Sequence, residues 1–394
     1  TSVNDCFRPV AAFFDRINRP EQLIPSLIQA MRTLTDPADT GAVVIAMPED
    51  VQAEAYDFPV DFFRRRVWHV RRTPLERAAL ERAVEMVRSA ERPLVVAGGG
   101  VVYSEASREL REFAAATGIP VADTQAGKGA INFDHPQSVG GVGSTGGDSA
   151  NHLADRADLV IGVGPRYSDF TTASASQFKN PDVRFVNVNV KPFDAVKESG
   201  EMLVADAREA LRDLTTALAG HHVQEAYARE VAQEKAAWEE RVHGCTHLGH
   251  GPLPAQTEVF GALNEMMGDQ DVVINAAGSM PGDLQALWQA RTPEQYHVEY
   301  AFSCMGYEIP AALGVKLARP EAEVVSIVGD GTYQMLPMEL ATIAQEGIKV
   351  IFVLLQNYGF ASIGALSESH GSQRFGTRYR RGGGERHTAD GELL

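Results

Sequence analysis

Two short apolar runs, VVSIV at 324–328 and VIFVLL at 350–355, restrict this chain more than any other feature. Each is strand-sized, dominated by β-branched or bulky apolar residues, and lacks an alternating polar face. A strand of that kind must be covered on both sides, as in a parallel sheet with helices on each face. Between the runs, Leu336, Leu340, Ile343, Ala344 and Gly347 fall at i, i+4, i+7, i+8 and i+11, the stripe of a helix packed on that sheet. Gly347 is placed to stop that helix. A right-handed strand–helix–strand crossover brings both strand ends to the same sheet edge. The first run leads into Gly329-Asp330-Gly331 and the second into Gln356-Asn357, so Asp330 and Asn357 are expected to meet there.

The same alternation of strand-like runs and amphipathic segments fills the rest of the chain and predicts an α/β protein with parallel sheets. EQLIPSLIQAMRTL (21–34) reads as a helix despite Pro25, and AVVIAMP (42–48) as a strand. The basic, Pro-punctuated stretch FFRRRVWHVRRTP (62–74) reads as a linker. A complete α/β unit follows, with strands in PLVVAGGG, IPVAD, ADLVIGVG and VRFVNVNV, closing on the charged helix 223–242. After the loop HGCTHLGHGPLP come the helix AQTEVFGALNEMM, the strand DVVINAAG and the two opening runs. Domains are therefore placed at 1–65, 66–242 and 243–394, with 378–394 a polar, Gly-rich loop.

Bulk properties exclude several function classes. A formal charge of −16 argues against a nucleic-acid-binding face. No apolar run approaches the ~20 residues of a membrane helix. Three scattered cysteines, Cys6, Cys245 and Cys304, point to a reducing, cytoplasmic setting. The opening TSVNDCFRPV has neither a basic leader nor an apolar core, and is expected to begin inside a domain, as a fragment would.

Ligands in open α/β sheets bind beyond the carboxyl ends of the strands. There Asp330 and Asn357 offer one charged and one neutral oxygen, hard donors suited to Mg²⁺ or Ca²⁺; Mg²⁺ usually completes its shell with phosphate and water. The glycines beside Asp330 let backbone N–H groups approach a phosphate. A metal-bridged diphosphate also answers how so acidic a chain holds an anion. The plainer reading, a helix-capping Asp and a turn-starting Asn, does not account for a spacing of one whole strand–helix–strand unit.

With these residues in view, the stretch resembles the fingerprint of the thiamine-diphosphate (ThDP) enzymes. The resemblance implies their fold, three-layer α/β domains with parallel sheets. It makes 1–65 the tail of a pyrimidine-binding domain with a linker, 66–242 a central domain and 243–394 a diphosphate-binding domain. It implies Mg²⁺ held by Asp330, Asn357 and the carbonyl of Gly359. VINAAGSM places Gly278 and Ser279 near the phosphates, with Gly331 and Thr332 also on the cofactor. SCMGYEIPAALG makes Met305 the prop of the thiazolium ring; on the residues alone it is a core methionine. Gln356 stands where many members have a first asparagine.

Longer strings, among them SVNDCFRPVAAFFDRINRPEQL, GGVGSTGG and QNYGFASIGALSES, resemble a branch of that family that opens a cyclic polyol dione by C–C hydrolysis in inositol breakdown. A homodimer or homotetramer is implied, and no nucleic-acid or membrane partner. The family's activating Glu belongs to a part of the pyrimidine domain that residues 1–57 do not match, so no catalytic residue is assigned. On that account the 394-residue chain alone is expected to bind ThDP weakly and not to turn over. The alternatives are another ThDP lyase or synthase acting on 2-oxo acids, or a non-catalytic remnant. Two further features are read as structural. The Gly-rich VVAGGGVVYSEA (95–106) breaks the dinucleotide pattern G-x-G-x-x-G, and HGCTHLGH (243–250) lacks zinc-ligand spacing.

Overall fold

The computed structural model describes residues 2–299 and 301–379; of the predicted C-terminal loop, 380–394 lie outside the described residues. Strands β1 (Phe13–Arg16) and β2 (Val43–Ala46) form a two-stranded parallel sheet flanked by the helix Leu23–Leu34. Of the predicted linker 62–74, residues 62–63 end a short helical turn, Val60–Phe63, and the rest carry no regular element, as far as residue 76.

The central unit is a six-stranded parallel sheet. Its strands are β3 (Pro93–Ala97), β4 (Val121–Asp123), β5 (Ser138–Gly141), β6 (Leu159–Val163), β7 (Arg184–Asn189) and β8 (Glu201–Val204), in the order β5-β4-β3-β6-β7-β8. Every residue of β3 and β6 is buried, as runs such as LVIGV require. Phe113 and Leu110, on the helix Ser107–Thr117, join Leu94 and Ile161 in one continuous core. The long helix Glu225–Thr246 then runs past residue 242, so the first part of the predicted His-bearing loop is helical. His243 and His247 stack there at 4.1 Å as i,i+4 neighbours, and no metal-holding cluster of His, Cys, Asp or Glu occurs among the described residues.

The C-terminal unit is a four-stranded parallel sheet. Strands β9 (Val272–Asn275), β10 (Tyr296–Val298), β11 (Val324–Gly329) and β12 (Ile351–Leu355) lie in the order β10-β9-β11-β12. β11 and β12 pair in parallel over five residues, joined through the helix Glu339–Gln345. Two expectations need correction. The helical stripe is shorter than predicted: Pro337 delays the helix, Leu336 stays outside it, and Ala344 is exposed, leaving Ile343 buried and Leu340 packed beside it. β12 is an edge strand rather than a buried one, with Ile351 and Leu354 exposed, because only β11 flanks it among the described residues. No helix among the described residues is long and apolar enough to cross a membrane.

Candidate functional site

The order β10-β9-β11-β12 reverses direction between β9 and β11, and a crevice opens beyond their carboxyl ends at such a switch point. A cleft of about 280 Å³ lies there. All eight residues singled out in the sequence line it: Gly278, Ser279, Met305, Asp330, Gly331, Thr332, Asn357 and Gly359. The turn after β9 supplies the first two, and the segment before the helix Glu308–Ala318 supplies Met305. The turn after β11 supplies Asp330 to Thr332, and the turn after β12 the last two.

Asp330 is the hub. Its side chain is buried; Oδ2 accepts the N–H groups of Tyr358 at 2.7 Å and Gly359 at 3.2 Å, and Oδ1 that of Gly331 at 2.9 Å. Burial pushes its carboxyl above the usual range, and the N–H groups of Tyr358, Gly331, Gly359 and Asn357 pull it back. Two consecutive N–H groups reach one oxygen because the chain turns sharply: Tyr358 has φ +61° and Gly359 φ +149°. A Cβ on Gly359 would lie 2.2 Å from the Thr377 carbonyl oxygen, so that position requires glycine.

The end of the Asn357 amide lies 3.3 Å from Asp330 Oδ1 and 2.9 Å from the Gly359 carbonyl oxygen. With its nitrogen turned inwards the amide donates to both. With its oxygen turned inwards, three oxygens face one another, and that set (carboxylate, amide and backbone carbonyl) is what a hard divalent cation takes. The residues therefore fit such an ion. Among the described residues no lining side chain is basic, so there an anion in this cleft meets positive charge through a cation or through N–H groups.

Several participants carried no sequence signal. Gln256, from the helix Gln256–Met266, enters the cleft and donates to Asp283 Oδ2 at 2.5 Å and Ser279 Oγ at 3.4 Å. Phe360 and residues 361–363, at the start of the helix Ala361–Ser369, close the opposite side. The small residues after Asn357 in NYGFASIG were the one available hint of a helix starting at a ligand. The Gly-rich turn at 98–100 does not reach this cleft; Gly98 and Gly100 pack on the Gly164 backbone.

Parallel three-layer units and a cleft with this donor set at a sheet switch point define a class of cofactor-binding protein, and sequence comparison agrees. Residues 80–214 match the family model "Thiamine pyrophosphate enzyme, central domain", and 276–389 match "Thiamine pyrophosphate enzyme, C-terminal TPP binding domain". The chain belongs to the thiamine pyrophosphate enzymes. Along its whole length it is 45% identical to the 3D-(3,5/4)-trihydroxycyclohexane-1,2-dione hydrolase of Bacillus thuringiensis (strain Al Hakam). It is 46% identical to the 3D-(3,5/4)-trihydroxycyclohexane-1,2-dione hydrolase of Bacillus anthracis (strain CDC 684 / NRRL 3495). The chain spans 65% of the length of each of these relatives.

Proposed function

We propose that the protein is a ThDP- and Mg²⁺-dependent hydrolase that opens the ring of 3D-(3,5/4)-trihydroxycyclohexane-1,2-dione by C–C cleavage, in inositol breakdown. The observation that carries this reading is the convergence of Asp330, Asn357 and the Gly359 carbonyl in a cleft that no basic side chain lines among the described residues. Such a site accepts a diphosphate through a cation. Asp330, Asn357 and Gly359 hold the metal, while Gly278, Ser279, Gly331 and Thr332 face the diphosphate. Met305, on the facing turn, supports the ring end. The bound cofactor supplies the carbanion that C–C cleavage requires; these residues anchor and orient it. Resemblance to the hydrolases supplies the substrate, and the family pattern supplies assembly as a homodimer or homotetramer.

Titration calorimetry with ThDP, with and without Mg²⁺, tests the site: binding requires the metal and is lost in Asp330→Ala. Incubating the full-length protein with the cyclic dione and, separately, with pyruvate tests the substrate. Turnover of pyruvate alone would replace the hydrolase reading with that of a 2-oxo-acid enzyme.

A further inference from the structure

Behind the wall of this cleft lies a carboxylate that none of the roles above uses. Glu308 begins the helix Glu308–Ala318, is fully buried, and has no cationic partner among the described residues. Its partners are backbone and hydroxyl donors. Gly306 N–H lies 3.1 Å from Oε2, and Thr332 Oγ1 lies 3.3 and 3.2 Å from Oε1 and Oε2. The Ala277 N–H is a further donor to it. Gly306 N–H is shared with Thr332 Oγ1 at 2.7 Å, so hydroxyl, carboxylate and amide form one connected set.

The three donors sit on three different walls. Ala277 opens the turn that carries Gly278 and Ser279, Gly306 directly follows Met305, and Thr332 follows Gly331 after β11. Burial pushes the Glu308 carboxyl above its usual range, and these donors draw it back. An apolar residue would fill the same space without that desolvation cost. What it would lack is a hydrogen-bonded tie among the three turns beyond the point where β9 and β11 stop pairing, at Ile274 and Ser326.

We propose that Glu308 is a positioning residue of the cofactor cleft, fixing the Ala277, Met305 and Thr332 turns relative to one another so that the diphosphate end and the ring end of the cofactor are held at a set separation. This rests on the ThDP reading of the cleft. The metal-holding oxygens of Asp330, Asn357 and Gly359 make no hydrogen bond to Glu308, so loosening the tie acts on how the two ends are spaced rather than on the anchor itself.

Two ligands separate the effects in the full chain: Mg²⁺ with ThDP, which spans both ends, and Mg²⁺ with inorganic pyrophosphate, which occupies only the anchor. Glu308→Gln keeps the size but puts an NH₂ group among donors. It is expected to weaken ThDP about tenfold, the scale of one buried hydrogen bond, and pyrophosphate by less than about twofold. Glu308→Met, an apolar side chain of similar length that leaves no unpaired amide in the space, removes the tie and shifts ThDP the same way; it decides the matter if Glu308→Gln does not fold. Unchanged ThDP affinity overturns the proposal, as does an equal loss of both ligands, which marks a merely structural residue. A wild-type chain that binds neither ligand overturns the cofactor reading itself, an outcome visible before any variant is made.

Discussion

Strand order reverses at two places in this molecule, between β3 and β6 in the central sheet and between β9 and β11 in the C-terminal one. At the first, Gly98 N–H donates to the Val163 carbonyl at 2.9 Å and Gly100 N–H to that of Gly164 at 3.1 Å. A Cβ on Gly98 would stand 2.3 Å from the Gly164 oxygen, so the two turns touch backbone to backbone. At the second, a Cβ on Gly278 would meet only Met280 Cε, at 3.9 Å, and the cleft lies between the turns. A doubly wound sheet offers a crevice at each reversal, and the turns decide whether it is filled or left for a ligand. The central reversal serves packing; the C-terminal one keeps oxygens and N–H groups facing open space.

That contrast breaks if the two turns respond alike to substitution. The largest effect falls on the open turn: Asp330→Ala is expected to lower Mg²⁺-dependent ThDP affinity by about 100-fold or more, since even partners one step removed from a metal cost 10–100-fold. Thermal unfolding of the same variant checks that the fold persists. Gly98→Ala should do the reverse. Its methyl group meets backbone that cannot rotate away, so unfolding free energy is expected to fall by about 3 kcal/mol, the upper end of overpacking costs. ThDP affinity of the folded protein should change by less than about twofold, as distant sites act independently. A loss of affinity in Gly98→Ala comparable to that in Asp330→Ala would show that the central turn takes part in the site.

Buried glutamates repeat the contrast on a smaller scale. Burial pushes the Glu109 carboxyl up, but hydrogen bonds from Arg108 and Arg212, at 2.9 and 2.8 Å, outweigh it and hold the group below its ordinary value of 4.5. A depressed carboxyl stabilises the fold above its unfolded pKa, and that contribution disappears as pH falls through the folded value. Thermal midpoints of the chain are therefore expected to drop as pH falls below 4.5, and Glu109→Gln to flatten part of the drop. Glu308 has no such cation among the described residues, and burial holds it in the opposite direction.

How much of this was legible depended on where the information sits. Asp330 and Asn357 were legible because each ends an apolar run, and a parallel crossover leaves only one edge for both. Gln256 and Glu308 were not, since their position follows from how two helices dock, and neither spacing nor residue type marks them. Tyr358 was missed because its role is a backbone one, an N–H aimed by a left-handed turn that its identity does not announce. The stripe through Leu336 and Ala344 was over-read. Periodicity counted Leu336 across Pro337, where the helix had not yet begun, and it could not tell an inward Ala344 from an outward one.

β12 shows the limit of composition most plainly, and supplies the smallest expected effect. IFVLL reads like LVIGV of β6, yet every residue of β6 is buried while Leu354 remains 46% exposed. Apolar character states what a strand would prefer to bury, and only its neighbours decide what it does bury. Half the transfer term is already absent at Leu354, and an exposed side chain leaves no enclosed cavity when shortened. Leu354→Ala should therefore lower the unfolding free energy of this chain by less than about 1 kcal/mol, against about 2–5 kcal/mol for Ile161→Ala in the closed core. Chemical denaturation of the two variants side by side makes the measurement. Equal losses would mean that the outer face of β12 is covered in solution, and repeating the measurement across protein concentrations would then show whether a second copy covers it.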